Sequence, residues 1–269
     1  MTAPRTVLLT GAAGGIGTLM RELLPPYGHE LRLLDAVPVP GAPDAIVADL
    51  ADRAALREAV RGVDAVVHLA GISLESDFDR IVAANVTGLH HLYEAVREEG
   101  VRRVVFASSN HAVGFTPLPR EGEPLLPADV PHRPDTFYGL SKCFGEDLAQ
   151  LYWDRHGVET VSLRIGSCYP APTTVRMLSL WLSPGDCARL LHASLTAGSV
   201  GHTVAYGSSA NTRLRWDLST ARALGYAPQD DAEVFAAELL AEQGPLPEDS
   251  PDALYLGGRF CGDPPPPSR

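Results

Sequence analysis

The chain has 269 residues, 45% hydrophobic and 20% charged, the balance of a globular protein with a sizeable core. Its net charge of −11 works against nonspecific binding to nucleic acid or to an anionic membrane. No apolar run reaches the ~20 residues of a membrane helix, no secretory signal opens the chain, and the four cysteines lack paired metal-ligand spacing, so a cytoplasmic chain with reduced thiols and no metal is expected.

Thr6–Thr10 reads as a short buried strand. Gly11-x-x-Gly14-Gly15-Ile16-Gly17 follows and opens a helix that Pro25 and Pro26 close. Glycines after a strand let the backbone approach a pyrophosphate, and the helix N-terminus supplies N–H donors. Leu31–Asp35 is the second strand. At its end Asp35 is placed to accept from both hydroxyls of an adenosine ribose. No cation follows it in Ala36-Val37-Pro38, which favours NAD over NADP. A short third strand at 45–48 leads to Asp49 and Leu50, at the adenine edge or merely in a helix-capping loop. Asp52 caps a helix running to Arg61.

Residues 65–69 form an apolar fourth strand, in which His68 reads as a core histidine rather than a catalyst. A long helix at 78–99 and a strand at 104–107 follow. Residues 114–135, rich in proline, glycine and acids, read as a loop over the sheet. The next helix, 136–156, carries Tyr138 and Lys142 four apart on one face. An ammonium there can favour the ionised form of a phenol that otherwise titrates near ~10. A sixth strand at 158–163, a helix at 184–196, a strand at 203–206 and a helix at 231–242 complete the pattern. The fold expected is α/β, a doubly wound parallel sheet (Rossmann fold) with a small C-terminal substrate-binding part. Residues 1–170 form the cofactor-binding core. Residues 171–262 form the substrate region with further core elements, and 263–269 a mobile, proline-rich tail.

The glycine loop, Val67-His68-Leu69-Ala70-Gly71, Asn85-Val86-Thr87-Gly88, Ala107-Ser108-Ser109 and Tyr138-x-x-x-Lys142 together resemble the extended short-chain dehydrogenase/reductase superfamily. That resemblance implies Tyr138 as general acid/base, Lys142 as its electrostatic partner and ligand of the nicotinamide ribose, and Ser109 as donor to the reacting oxygen. It places Leu69, Ala70, Gly71, Ser108 and Ile165 on the cofactor side. Asn85 either kinks its helix and helps hold a relay water near the lysine, or is merely structural.

A closer resemblance runs through Ser108-Ser109-Asn110-His111, Tyr138 to Glu146, Leu163 to Cys168, Gly71-Ile72-Ser73, Arg176 to Ser179 and Gly257-Gly258-x-Phe260. These stretches look like the bacterial uronate dehydrogenases, a group within that superfamily. The implied reaction is NAD-dependent oxidation of C1 of D-glucuronate or D-galacturonate to the aldarolactone. Arg176 is then the clamp on the C6 carboxylate, a role that suits a forked guanidinium. Ser73, Asn110, His111 and Ser167 would bond the ring hydroxyls, and Phe260 would cover the site. The superfamily's nucleotide-sugar epimerases and dehydratases usually carry Arg-x-x-Asn-x-Tyr-Gly-Pro after the sixth strand. Here Ser167 replaces the asparagine and Pro170-Ala171 the Gly-Pro, which favours a small free sugar acid. An epimerase or dehydratase with tightly held NAD is the alternative, and a dinucleotide-binding redox sensor a third reading. The resemblance also implies a homo-oligomer paired through the helices at 78–99 and 136–156.

Overall fold

The computed structural model describes residues 6–120, 122–263 and 265. Its strands are β1 (Thr6–Thr10), β2 (Glu30–Asp35), β3 (Ile46–Val47), β4 (Ala65–His68), β5 (Arg103–Ser109), β6 (Glu159–Ile165), β7 (Ser167–Cys168), β8 (Trp181–Leu182) and β9 (His202–Gly207). Seven of them form one sheet in the order β3-β2-β1-β4-β5-β6-β9, parallel throughout. This is the doubly wound order with one strand added beyond β6.

A parallel sheet must be covered on both faces, so its strands are apolar on both. Along β1, Val7 and Leu9 join one core cluster and Leu8 the other. On the first face lie α1 (Gly15–Leu23) and, further along the chain, the helix at Pro184–Thr196. On the second lies α2 (Arg53–Val60), capped by Asp52 Oδ1 accepting from the Ala55 N–H.

The helix expected over 78–99 is in three pieces: α3 (Phe78–Ile81), a π-wound stretch Val82–Thr87 and α4 (Gly88–Glu98). Asn85 lies in the π stretch and bonds the backbone of Ile72 outside the helix. A side chain committed off the helix at that point accounts for the locally widened winding. α5 (Phe137–His156) follows, with Thr136 as N-cap. β5 and β6 run further than expected, through Ser108-Ser109 and Arg164-Ile165.

Beyond β6 the short pair β7 and β8 brackets α6 (Met177–Leu180), and then come α7 (Pro184–Thr196) and β9. The pair β7–β8 was not foreseen, two residues being too few to show a period. The helix expected at 231–242 starts as a 3₁₀ turn, Ala232–Phe235, before Ala236–Gln243. Apart from residues 263 and 265, the tail expected at 263–269 lies outside the described residues.

Arg103, the first residue of β5, ties the two halves of the chain together. Its Nη2 donates to Glu159 Oε2 at 2.7 Å, and its Nη1 to the Ser194 carbonyl at 2.7 Å. Further donations reach the carbonyls of Ala197 and Gly198 at the end of α7. A guanidinium thus satisfies carbonyls that a helix C-terminus leaves unpaired. Both charged partners are under a tenth exposed, and truncating one strands the other. Arg103→Ala is expected to cost about 3 kcal/mol, read as a lower urea midpoint with the slope unchanged.

Candidate active site

The strand order reverses between β1 and β4, and the ends of these two strands open into a cavity of about 810 Å³. Gly11 turns with φ +73° and packs flat on Leu69 and Ala70. A Cβ on Gly17 would collide with the Gly11 carbonyl, so only glycine lets α1 begin this close to the loop. The first turn of α1 has no side-chain cap, and Gly14, Gly15, Ile16 and Gly17 line the cavity. The site therefore offers a helix N-terminus to an anion.

Asp35 stands at the end of β2. Its Oδ2 accepts from the Ala13 N–H at 2.9 Å and its Oδ1 from the Val37 N–H at 3.2 Å. These bonds aim the carboxylate and leave lone pairs for ribose hydroxyls. Ala36, Val37, Ala48, Asp49 and Leu50 complete that end, where the lining holds no Lys or Arg for a 2′-phosphate. The donor set fits NAD.

Across the cavity, Tyr138 and Lys142 come up from α5. Thr136 Oγ1 accepts from the Gly139 N–H, and Glu75 Oε2 accepts from the Tyr138 N–H at 2.9 Å. Cβ atoms on Gly139 and Gly145 would strike the His111 carbonyl and the Phe106 ring, so α5 lies tight on β5 and the turn after it. Lys142 and Tyr138 are each 7% exposed. The ammonium donates to the Ala107 carbonyl at 2.7 Å and lies 5.4 Å from the Tyr138 ring centre.

Burial pushes Lys142 down to about 8, with Glu146 partly opposing it. Burial pushes Tyr138 up to about 12, against a bond from Ser109 that pulls it down. The phenol is thus held neutral in the free chain.

Ser109, at the end of β5, accepts from the His111 N–H as well as bonding the phenol. Ser108 also lines the cavity, but its hydroxyl donates to Glu146 Oε1 at 2.5 Å. Glu146 also receives Arg164 through Nε and Nη2, and His132 Nε2 lies 2.8 Å from its Oε2. Burial raises Glu146, but these bonds outweigh it and hold the carboxyl at about 2. His68 is a core residue, bonded to Thr10 Oγ1 and pushed down to about 3 by burial and then by Lys142.

Past Tyr138 the cavity is lined by Ser73, Asn110, His111, Ser167, Arg176 and Phe260. Asn110 Nδ2 and Arg176 Nη2 both donate to the Leu256 carbonyl, at 3.0 and 2.6 Å. His111 Nδ1 is 2.6 Å from Asp135 Oδ2, and its ring meets Phe260 edge-on at 4.5 Å. Arg176 is half-buried, and desolvation lowers its pKa against the opposing pull of Asp252.

Residues 7–184 match the model of the NAD dependent epimerase/dehydratase family. A uronate dehydrogenase of Pseudomonas syringae pv. tomato is 49% identical over 263 residues, 96% of this chain and 94% of that one. The chain belongs to the NAD-dependent epimerase/dehydratase family, within its uronate dehydrogenase group. The crystal structure of uronate dehydrogenase from Agrobacterium tumefaciens aligns with a TM-score of 0.89 at 44% identity, covering 97% of each chain. A tyrosine-to-alanine variant of the Agrobacterium protein, complexed with NAD, aligns with the same score over 97% of this chain and 98% of that one.

Among the candidate cofactor, substrate and catalytic residues named from sequence, Asn85 alone is not in the cavity lining. Its Oδ1 accepts from the Ile72 N–H, while Nδ2 donates to the Ile72 carbonyl and to Ser141 Oγ. Both N–H groups are used, and the residue fastens Ile72 to α5. Sequence reasoning missed Glu75, Asp135 and the partners of Glu146. Glu146 lies one turn beyond Lys142 on α5, a spacing that could have found it. Nothing local marks Glu75.

Lys142 carries a test with a definite sign. Its folded pKa of about 8 lies below the ordinary 10.5, so burying the charged form destabilises the fold at neutral pH. That cost fades as pH rises through 8 towards 10.5. Lys142→Met is expected to stabilise the cofactor-free protein by about 1–3 kcal/mol at pH 7. Urea unfolding should show that gain shrinking towards pH 10.

Proposed function

We propose that this chain is an NAD-dependent uronate dehydrogenase that oxidises C1 of a hexuronate to the aldarolactone. One observation carries the reading. A single cavity joins a glycine loop and Asp35, without a 2′-phosphate cation, to Ser109, Tyr138 and Lys142, and then to the half-buried guanidinium of Arg176. The relatives named uronate dehydrogenase support the same chemistry.

In the reaction Tyr138, ionised to tyrosinate once the site is filled, takes the proton of the C1 hydroxyl, and Ser109 holds the same oxygen by a hydrogen bond. NAD, bound along the glycine loop and Asp35, supplies hydride acceptance. Lys142, fixed on the Ala107 carbonyl, places positive charge near the phenol as it ionises. Asn110, His111, Ser73 and Ser167 orient the ring hydroxyls, and Arg176 takes the C6 carboxylate. Phe260 closes the outer side against His111. Leu69, Ala70, Gly71, Ser108 and Ile165 form the wall along the cofactor, and Asp49 and Leu50 its adenine edge.

The division into a core at 1–170, a substrate region at 171–262 and a short tail belongs to the same reading. So does a homo-oligomer. Phe78 and Phe137, 50% and 47% exposed, meet edge-on at 5.2 Å, and Leu140 is exposed on α5 beside them. That apolar face suits a second copy. A cytoplasmic location is consistent with free cysteines and with the absence, among the described residues, of a helix long and apolar enough to cross a membrane.

Tyr138→Phe is expected to lower turnover by at least about a thousandfold, while NAD binding, read by calorimetry, persists. Near-normal turnover would remove Tyr138 from the base role. Net NADH accumulation on adding glucuronate or galacturonate separates this reading from an epimerase, which returns its hydride. Arg176→Ala should cost the uronate about tenfold to a hundredfold more than the neutral hexose. Equal losses for both sugars would take Arg176 off the carboxylate.

A further inference from the structure

The protein already commits much of Arg176. Nη2 donates to the Leu256 carbonyl, and Nε lies 3.4 Å from Asp252 Oδ1. Asp252 lines the same cavity. A carboxylate arriving at Arg176 therefore meets a pair with no net charge, one half of which repels it.

The lining contains two other permanent or near-permanent cations, Lys142 and Arg259. Lys142 sits beside the catalytic tyrosine on the Ala107 carbonyl, away from the carboxylate end. Arg259 is different. Its side chain is exposed at the rim, 5.9 Å from the Phe260 ring centre, and forms no ion pair among the described residues.

Its main chain is nonetheless fixed. The Arg259 N–H donates at 2.7 Å to Asp252 Oδ1, the oxygen that also faces Arg176. Gly258, at φ +60°, lies flat on both Arg176 and Asp252, and a Cβ there would collide with each. The backbone of the turn Gly258–Cys261 is thus anchored on the Arg176–Asp252 pair, with a free guanidinium beside it. With Arg259 the three charges sum to +1, and without it to zero.

We propose that Arg259 is a second guanidinium for the substrate carboxylate, meeting it opposite Arg176 and setting the preference for a sugar acid over a neutral sugar. This rests on the hexuronate reading above. A long side chain held by no ion pair, only lying over the Phe260 ring, can turn to the anion without breaking a salt bridge, and a forked donor suits two carboxylate oxygens.

The test is steady-state kinetics of Arg259→Gln and Arg259→Lys with glucuronate and with glucose, at low and high salt. In Arg259→Gln the ratio of kcat/KM for glucuronate over glucose should fall about tenfold to a hundredfold. The loss should lie mainly in KM, and the KM for glucuronate should depend less on salt. Arg259→Lys should recover part of both effects. An unchanged ratio with an unchanged salt dependence overturns the proposal, as does a loss shared equally by the two sugars. A wild-type enzyme that turns over glucose and not glucuronate overturns the parent reading and this one together. A wild-type preference for glucuronate that survives in Arg259→Gln overturns this one alone.

Discussion

Lys142 carries an ammonium into a site that is 7% exposed, with the Ala107 carbonyl as its hydrogen-bond acceptor. Much of the surrounding structure follows from that burial. α5 must lie close enough to β5 for a lysine stem to span the gap, which is why glycine stands at 139 and 145. The nearest carboxylate on the helix, Glu146, cannot neutralise the lysine by direct pairing, because Arg164, His132 and Ser108 already occupy it. The lysine therefore remains partly uncompensated until further groups enter the cavity. A buried charge kept at such a cost is a common sign that function, not stability, selected it.

The substrate half is held by contacts between distant parts of the chain. The Leu256 carbonyl accepts from Asn110, on the turn after β5, and from Arg176, just before α6. Asp135, at the foot of α5, bonds His111 and receives the Thr136 hydroxyl. Backbone glycines at 114 and 257 press against the same carboxylate. The C-terminal segment is thus a wall of the site, and the aromatic contact of His111 with Phe260 completes that wall.

Much of this was legible in the sequence where the signal is local. Alternating apolar runs and breaks placed β1 to β6, and the glycine spacing with Asp35 located the dinucleotide end. Helical spacing put Tyr138 and Lys142 on one face. What stayed hidden depends on partners far along the chain. The π winding at Val82–Thr87 follows from Asn85 reaching Ile72, and no local preference of those six residues announces it. Glu75 looks like any loop acid until the fold brings it to the Tyr138 N–H. His132, fourteen residues before Glu146, reads as part of an acidic, proline-rich loop, yet it helps hold a buried carboxylate. Resemblance points to Arg176, but its pairing with Asp252 depends on a segment far along the chain. Cys143 and Gly145 had no role from sequence. In the fold the thiol donates to the Ala112 carbonyl and the glycine makes room for Phe106.

The sheet order has a consequence for how the protein is made. β6 pairs on its outer side with β9, which begins at His202, some way after β6 ends at Ile165. During synthesis from the N-terminus, the glycine loop, Ser109, Tyr138 and Lys142 have all emerged while β6 is still an open, apolar edge. Such an edge is a template for pairing with another chain. The nascent protein thus has its catalytic residues before it has its protection against self-association. The interval ends only when β9 arrives and Arg103 can close on the last carbonyls of α7.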